Sequence, residues 1–299
     1  MLYIFLLFII NMSLYIISRL YIMKKNKKTD YLCLLVLLTL LMIIIFYFML
    51  LNKKENFTEY NFEETKNNLL EVENIYDKNK SKILWPDIKI KFMQENWPNT
   101  FNWDFAIKED IIKEALTLEQ NKCIIDAGAH IGDGAIPIAH FLIKNGRSDI
   151  IVYAIEPSLY KCNFMNFIKE KNNLTNLIVI NYGLSDKNKM YNTKTNRGNN
   201  SGAWNWKELF TNKEVSEAFF DSLDNLVKNK IINNNIGIIH LDVELMETNV
   251  LNGAKYTINE NKPYLSIENN NGSKYLDLLP TGYKLLYNLN SNQIFKFIE

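Results

Sequence analysis

From residue 122 onward, short continuous apolar runs alternate with stretches whose apolar residues recur every three or four positions. CIIDA (123–127), IIVYAIE (150–156), NLIVIN (176–181), IGIIHLD (236–242) and YLSIE (264–268) predict strands. Runs without polar alternation belong to strands covered on both faces, the habit of parallel sheets. Between them the spacing predicts helices over 134–144, 159–171 and 247–259. Pro137 is tolerable in the first of these, because the opening N–H groups of a helix have no partner within it. GYKLLYNL and NQIFKFI, parted by NSN, predict a closing hairpin. The alternation implies an α/β fold, a mainly parallel sheet with helices on both faces.

Upstream the pattern changes twice. Asp104 opens a helical pattern in which Ile107, Ile111, Ile112, Ala115 and Leu116 share a face. Together with Trp85, Trp97 and Trp103 it predicts an N-terminal cap over 83–120 on a core at 121–299. Residues 52–82, rich in Glu, Asn and Lys, read as a polar stem with a helical stretch near Glu63 to Tyr76. Before the stem, residues 31–51 carry no charge and residues 2–17 carry none either. About 20 apolar residues are what a helix needs to cross a bilayer. Residues 1–51 therefore predict a membrane anchor of one or two transmembrane helices, with the lipid bilayer as a partner. Lys24, Lys25, Lys27 and Lys28 lie between the runs. The positive-inside rule puts them in the cytoplasm and the following domain on the non-cytoplasmic side.

Composition narrows the field further. The 299 residues are 47% hydrophobic and 22% charged with a net charge of +1, and no basic stripe appears beyond the membrane-flanking lysines. This excludes a nucleic-acid reader. Cys33, Cys123 and Cys162 match no zinc spacing and read as small buried hydrophobes. Asn-x-Ser/Thr matches include Asn56, Asn173, Asn199 and Asn271, glycosylation candidates only for a lumenal domain. Residues 187–215, containing RGNNSGAWNW with Trp204 and Trp206, form a long polar loop. Such a loop is a candidate cover for a substrate site.

Chemistry concentrates at the predicted strand ends. IIDAGAHIGDGAIPIA (124–139) places Asp126 at a strand tip, then Gly128 and Gly132 in a turn that leads into a helix. A dinucleotide site requires Gly-x-Gly-x-x-Gly and a P-loop requires Gly-Lys-Ser/Thr. Neither is present, and a carboxylate at the tip repels phosphate. Glu156, followed by Pro157, ends the next strand and can hold a ribose diol. Ser185 and Asp186 follow the third strand, able to meet an adenine edge. Acidic groups at three neighbouring tips without a phosphate cradle suit S-adenosylmethionine.

The ordered set IDAGAHIG, IEPS, GLSD, FFDSLDNL, IIHLDVELMETNVLNGA and PYLSIE resembles the FkbM family of class I methyltransferases over residues 121 to about 270. The resemblance implies a Rossmann-like, seven-stranded sheet with its last strand antiparallel. It further implies S-adenosylmethionine as cofactor and O-methylation of a sugar or other small molecule. By position, Asp126, Gly128, His130 and Gly132 would form the methionine-side turn, Glu156 would hold the ribose, and Asp186 would lie near the adenine. The chain departs from the family at His130, where asparagine is usual, at His240, where lysine is usual, and at Leu245, where glycine is usual.

In HLDVELME (240–247), strand parity turns His240, Asp242 and Glu244 to one side. A hydroxyl acceptor must lose a proton on methylation. His240 has the residue type suited to accept it, with Asp242 or Glu244 to orient it or bind the acceptor. Two carboxylates are too few to argue a metal. His140 reads as structural. The sequence thus predicts a membrane-anchored methyltransferase acting on a glycan or other small hydroxylated acceptor. The alternatives are a tethered, catalytically inactive binding protein of the same fold, and a nucleotide-sugar or NAD enzyme, against which the missing phosphate fingerprint counts.

Overall fold

The computed structural model describes residues 69–86, 105–194, 215–269 and 272–298. The two N-terminal apolar runs, the stem up to residue 68, Trp97, Trp103, Trp204 and Trp206 lie outside these residues. Among the described residues no helix is long and apolar enough to cross a membrane.

The chain begins with β1 (Leu69–Glu73) and β2 (Lys82–Pro86), followed by α1 (Phe105–Ala115), β3 (Cys123–Ala127), α2 (Ala135–Lys144), β4 (Ile151–Ile155), α3 (Leu159–Lys171) and β5 (Leu177–Ile180). Then come β6 (Gly183–Leu184), β7 (Lys189–Lys194), β8 (Val215–Asp221), α4 (Leu223–Lys228) and β9 (Ile236–Leu241). α5 (Glu247–Asn252), α6 (Lys255–Asn261), β10 (Tyr264–Glu268), a 3-10 turn (Tyr275–Leu278), β11 (Tyr283–Leu289) and β12 (Asn292–Phe297) complete it. The main sheet has seven strands in the order β11-β12-β10-β9-β3-β4-β5. β10, β9, β3, β4 and β5 are parallel, and β12 runs antiparallel to both neighbours.

Side-chain parity divides the core. Ile124, Val152, Ala154 and Ile238 face α1, α2 and α3, whereas Cys123, Ile125, Ala127, Ile239 and Leu241 face α4, α5 and α6. Both faces are apolar because both are covered. After β5 the chain crosses to the other side of β3 to form β9, so the order reverses between these two central strands. Crevices at the carboxyl ends of strands open at such a reversal.

Three elements differ from the sequence reading. Leu69–Glu73 is a strand, not part of a helix, and pairs with β2 in an antiparallel hairpin. That hairpin is bound to the domain: Asn172 accepts from Leu84 N–H at 2.7 Å and donates to Leu84 O at 2.9 Å. Trp85 is 2% exposed. Residues 189–194 and 215–221, read as loop or its margin, join β6 in a separate three-stranded sheet, β6-β8-β7, with 215–221 in the middle. The helix expected over 247–259 is two short helices broken at Gly253, where a Cβ would stand 2.1 Å from Ser185 O. A side chain there would push the helices off the tip of β6.

Candidate active site

The turn after β3 is built for close backbone contact. Gly128 has φ +84°, and a Cβ on it would meet the carbonyl oxygen of Asp242 at 1.7 Å. Only glycine lets the β9 tip approach so near, and Asp242 N–H closes the contact by donating to Ala127 O at 3.0 Å. Gly132, φ +83°, abuts Ile136 and Met165 side chains at the start of α2. Between them His130 is left-handed, φ +51°. Histidine, like asparagine and aspartate, adopts this backbone more readily than most residues.

His130 joins the first two strand tips. Its N–H donates to Glu156 Oε2 at 3.1 Å, and Ser158 N–H donates to Glu156 Oε1 at 3.0 Å. Glu156 is 4% exposed. Each oxygen accepts one backbone N–H and retains a second lone-pair direction. Asn181, at the end of β5, donates to the carbonyls of Glu156 at 3.1 Å and Pro157 at 2.9 Å, tying the third tip to the second. Ser185 is buried, and its hydroxyl donates to Asp186 Oδ1 at 3.1 Å. Burial raises the Asp186 carboxyl, but the bonds from Ser185 and Asn249 and the charge of Lys187 outweigh it and leave the group below its ordinary range.

A charged network unannounced by any motif underlies the turn. Lys161 Nζ lies 3.8 Å from Glu156 Oε1, and Lys108 Nζ, from α1, lies 3.2 Å from Asp133 Oδ2. Asp133 Oδ1 is in turn 3.5 Å from His130 Nδ1. Burial pushes the His130 imidazole below its usual range, and Lys161 adds to the effect, while Asp133 and Glu156 oppose it. Burial likewise lowers the Lys161 ammonium, against Glu156, Asp133 and Glu244. The available signal was Lys161 itself, a cation in the first turn of α3, where a helix dipole disfavours positive charge.

At the β9 tip the three predicted reaction-centre residues do not form the expected row. β9 ends at Leu241, and Glu244 (φ +52°) and Leu245 (φ +71°) take the chain through a left-handed turn. Parity holds only in extended backbone, so it says nothing of Glu244. Glu244 instead lies among Glu268, Glu247 and Lys161: burial raises its carboxyl, both glutamates add to this, and Lys161 opposes. Glu247 is 2% exposed and accepts from Val243 N–H at 3.2 Å, holding the turn. His240 pairs not with Asp242 or Glu244 but with Asp126, Nδ1 to Oδ1 at 2.9 Å. The two residues face each other in the β3–β9 register. Leu245 is 48% exposed. His140, buried, meets Asn74 at 3.2 Å between the hairpin and α2, a structural place. Among the described residues no group of three or more His, Cys, Asp or Glu is placed to hold a metal ion.

A glycine turn, a buried carboxylate and a histidine–aspartate pair thus lie together at the carboxyl ends of the strands, at the reversal of a parallel sheet. Solved structures to which the chain is similar include the methyltransferase FkbM from Methylobacillus flagellatus KT, at 17% identity and TM-score 0.41. That match covers 60% of this chain and 45% of that one, so the chain spans under half of that relative. An rRNA methylase from Streptococcus thermophilus matches at 11% identity and TM-score 0.39, over 64% of this chain and 96% of that one. A SAM dependent methyltransferase from Aquifex aeolicus matches at 12% and 0.38, over 70% and 98%. No curated protein matches the chain. Residues 126–279, just over half of the sequence, match the methyltransferase FkbM domain, and the chain belongs to that family.

Proposed function

We propose that the chain is a membrane-anchored, S-adenosylmethionine-dependent O-methyltransferase whose acceptor is a hydroxyl of a glycan or other small molecule. The observation that carries the reading is Glu156, a buried carboxylate anchored by the His130 and Ser158 N–H groups with lone pairs left for a diol. The surroundings fit the donor and fit a dinucleotide poorly. Gly128 packs against Asp242 O and cannot cradle a pyrophosphate, and acidic groups stand near the end of β3 (Asp126), just after β4 (Glu156) and after β6 (Asp186). The Gly128–Gly132 turn would take the methionine end, Glu156 the ribose, and Asp186 with Ser185 the adenine side. When bound, the donor supplies an electrophilic methyl carbon. The protein's part is to align it with a hydroxyl and to take up that hydroxyl's proton.

The membrane and its side belong to the same reading. Two charge-free runs and the lysine cluster between them support an anchor with the domain on the non-cytoplasmic side. Protease protection of the C-terminal domain in sealed vesicles tests this, and digestion from the cytoplasmic face overturns it. For the donor, isothermal titration of the full-length protein in detergent with S-adenosylmethionine is expected to show binding that Glu156→Ala abolishes. Absence of binding by the wild type refutes the donor assignment.

A further inference from the structure

The structure assigns His240 as the base that receives the acceptor's proton, and Asp126 as the residue that positions it. The assignment rests on the methyl-transfer reading above but changes the role of Asp126, whose Oδ1 is engaged by His240 Nδ1 at 2.9 Å. Asp126 Oδ2 lies 3.2 Å from where a Cβ on Gly134 would stand, against the first turn of α2. The positive end of that helix dipole favours a carboxylate there. Oδ1 thus has a fixed task within the protein, and Oδ2 lies beside the start of α2.

A carboxylate accepts and cannot donate, so a neutral His240 facing it carries its proton on Nδ1 and leaves the Nε2 lone pair free. No further bond to the ring occurs among the described residues, and 14% of the side chain is exposed. The neighbouring strand offers no competing charge: the β10 residue in register with His240 is Ser266, whose hydroxyl is taken by Asn292 at 2.9 Å. From α1, the charged group of this region is Lys108, held by Asp133 at 3.2 Å. Asp126 is thus the one carboxylate in hydrogen-bond contact with the ring. In the proposed step the acceptor's O–H proton passes to Nε2. The oxygen's pair forms the new bond to the methyl carbon, and the donor sulfur keeps the pair of the bond that breaks.

The chain has three histidines, so 15N-histidine labelling of the full-length protein in detergent gives few signals to assign. The expected spectrum of His240 is that of an Nδ1-protonated neutral ring. Asp126→Asn is expected to populate the Nε2-protonated form, because an amide can also donate. A mixture of simple methyl glycosides, used as a hydroxyl probe, is expected to shift the Nε2 resonance. His240→Gln is expected to lower methyl transfer to the same probe by roughly 10²–10⁴-fold, with S-adenosylmethionine affinity retained. An Nε2-protonated ring in the wild type, an unmoved Nε2 resonance at saturating probe, or transfer unaffected by His240→Gln overturns the assignment. Failure to bind S-adenosylmethionine, with the tautomer and the probe shift as expected, counts against the donor reading alone.

Discussion

At the carboxyl end of β3 the chain reverses through Gly128, His130 and Gly132; at the end of the adjacent β9 it reverses through Glu244 and Leu245. Both turns need left-handed backbone, and they touch, since the Asp242 carbonyl sits where a Gly128 side chain would be. The first turn meets the need mainly with glycine, which adopts positive φ freely. The second uses residues that pay for the same conformation, and a buried glutamate holds it in place through the Val243 N–H. A left-handed non-glycine residue costs roughly 1–2 kcal/mol. One turn is sterically sealed and carries a single left-handed non-glycine residue, His130; the other carries two and is pinned.

The sharpest break of this contrast is Gly128→Ala. Its Cβ would meet backbone, not a flexible side chain, and its φ is positive. The two penalties together predict a loss of about 3 kcal/mol or more by denaturant titration. Gly132→Ala carries the same positive-φ penalty, but its Cβ would meet side-chain atoms, Ile136 Cδ1 at 2.5 Å and Met165 Cγ at 2.9 Å, which yield more readily than the Asp242 backbone. A smaller loss of about 1–3 kcal/mol is expected. Equal losses would show that the sealing of Gly128 by Asp242 is of no special consequence.

The pin on the second turn can be withdrawn in two ways. Glu247→Ala leaves the Val243 N–H without its acceptor and removes the group that meets Tyr275 OH at 3.4 Å. A loss of about 1–3 kcal/mol is expected. Glu247→Gln keeps an acceptor and removes the charge. Burial raises the Glu247 carboxyl, with Glu268 adding to this against backbone N–H groups that oppose. A folded pKa above the unfolded value favours the protonated group. The resulting stability is complete below about pH 4.3, the unfolded value, and is lost as pH rises through the folded pKa. Relative to the wild type, Glu247→Gln should therefore gain stability as pH is raised from about 4 toward neutrality. A constant difference across a pH series of denaturation curves would contradict the charge assigned to this site.

The same contrast explains what could be read in the sequence. The strands were legible because apolar runs without alternation have few other interpretations, and Asp126 and Glu156 stood out because each ends such a run. The β9 tip was not, since Glu244 and Leu245 are not turn formers and nothing in HLDVELME marks the left-handed step. The His240 partner was thus sought two residues away along its own strand, when it lay across the sheet at Asp126. Lys108, Asp133 and Lys161 belong to three elements that only the fold brings together. The β7 and β8 strands escaped notice because their polar sequences lack a continuous apolar run, and Leu69–Glu73 because LLEVE suits a helix nearly as well as a hairpin strand.

The mildest change tests whether strain in the second turn is real. Leu245 has φ +71° and is 48% exposed, so its side chain contributes little burial to offset the backbone cost. Glycine relieves that cost but brings its own loss of about 0.5–1 kcal/mol in chain entropy. Leu245→Gly should thus gain roughly 0.5–1 kcal/mol. Leu245→Ala is the control: it removes the same exposed side chain while keeping a Cβ, and hence the strain. Gly stabilising where Ala does not would place the cost in the backbone. Equal effects of the two would place it in the exposed leucine, and the two turns would then differ in sequence but not in strain.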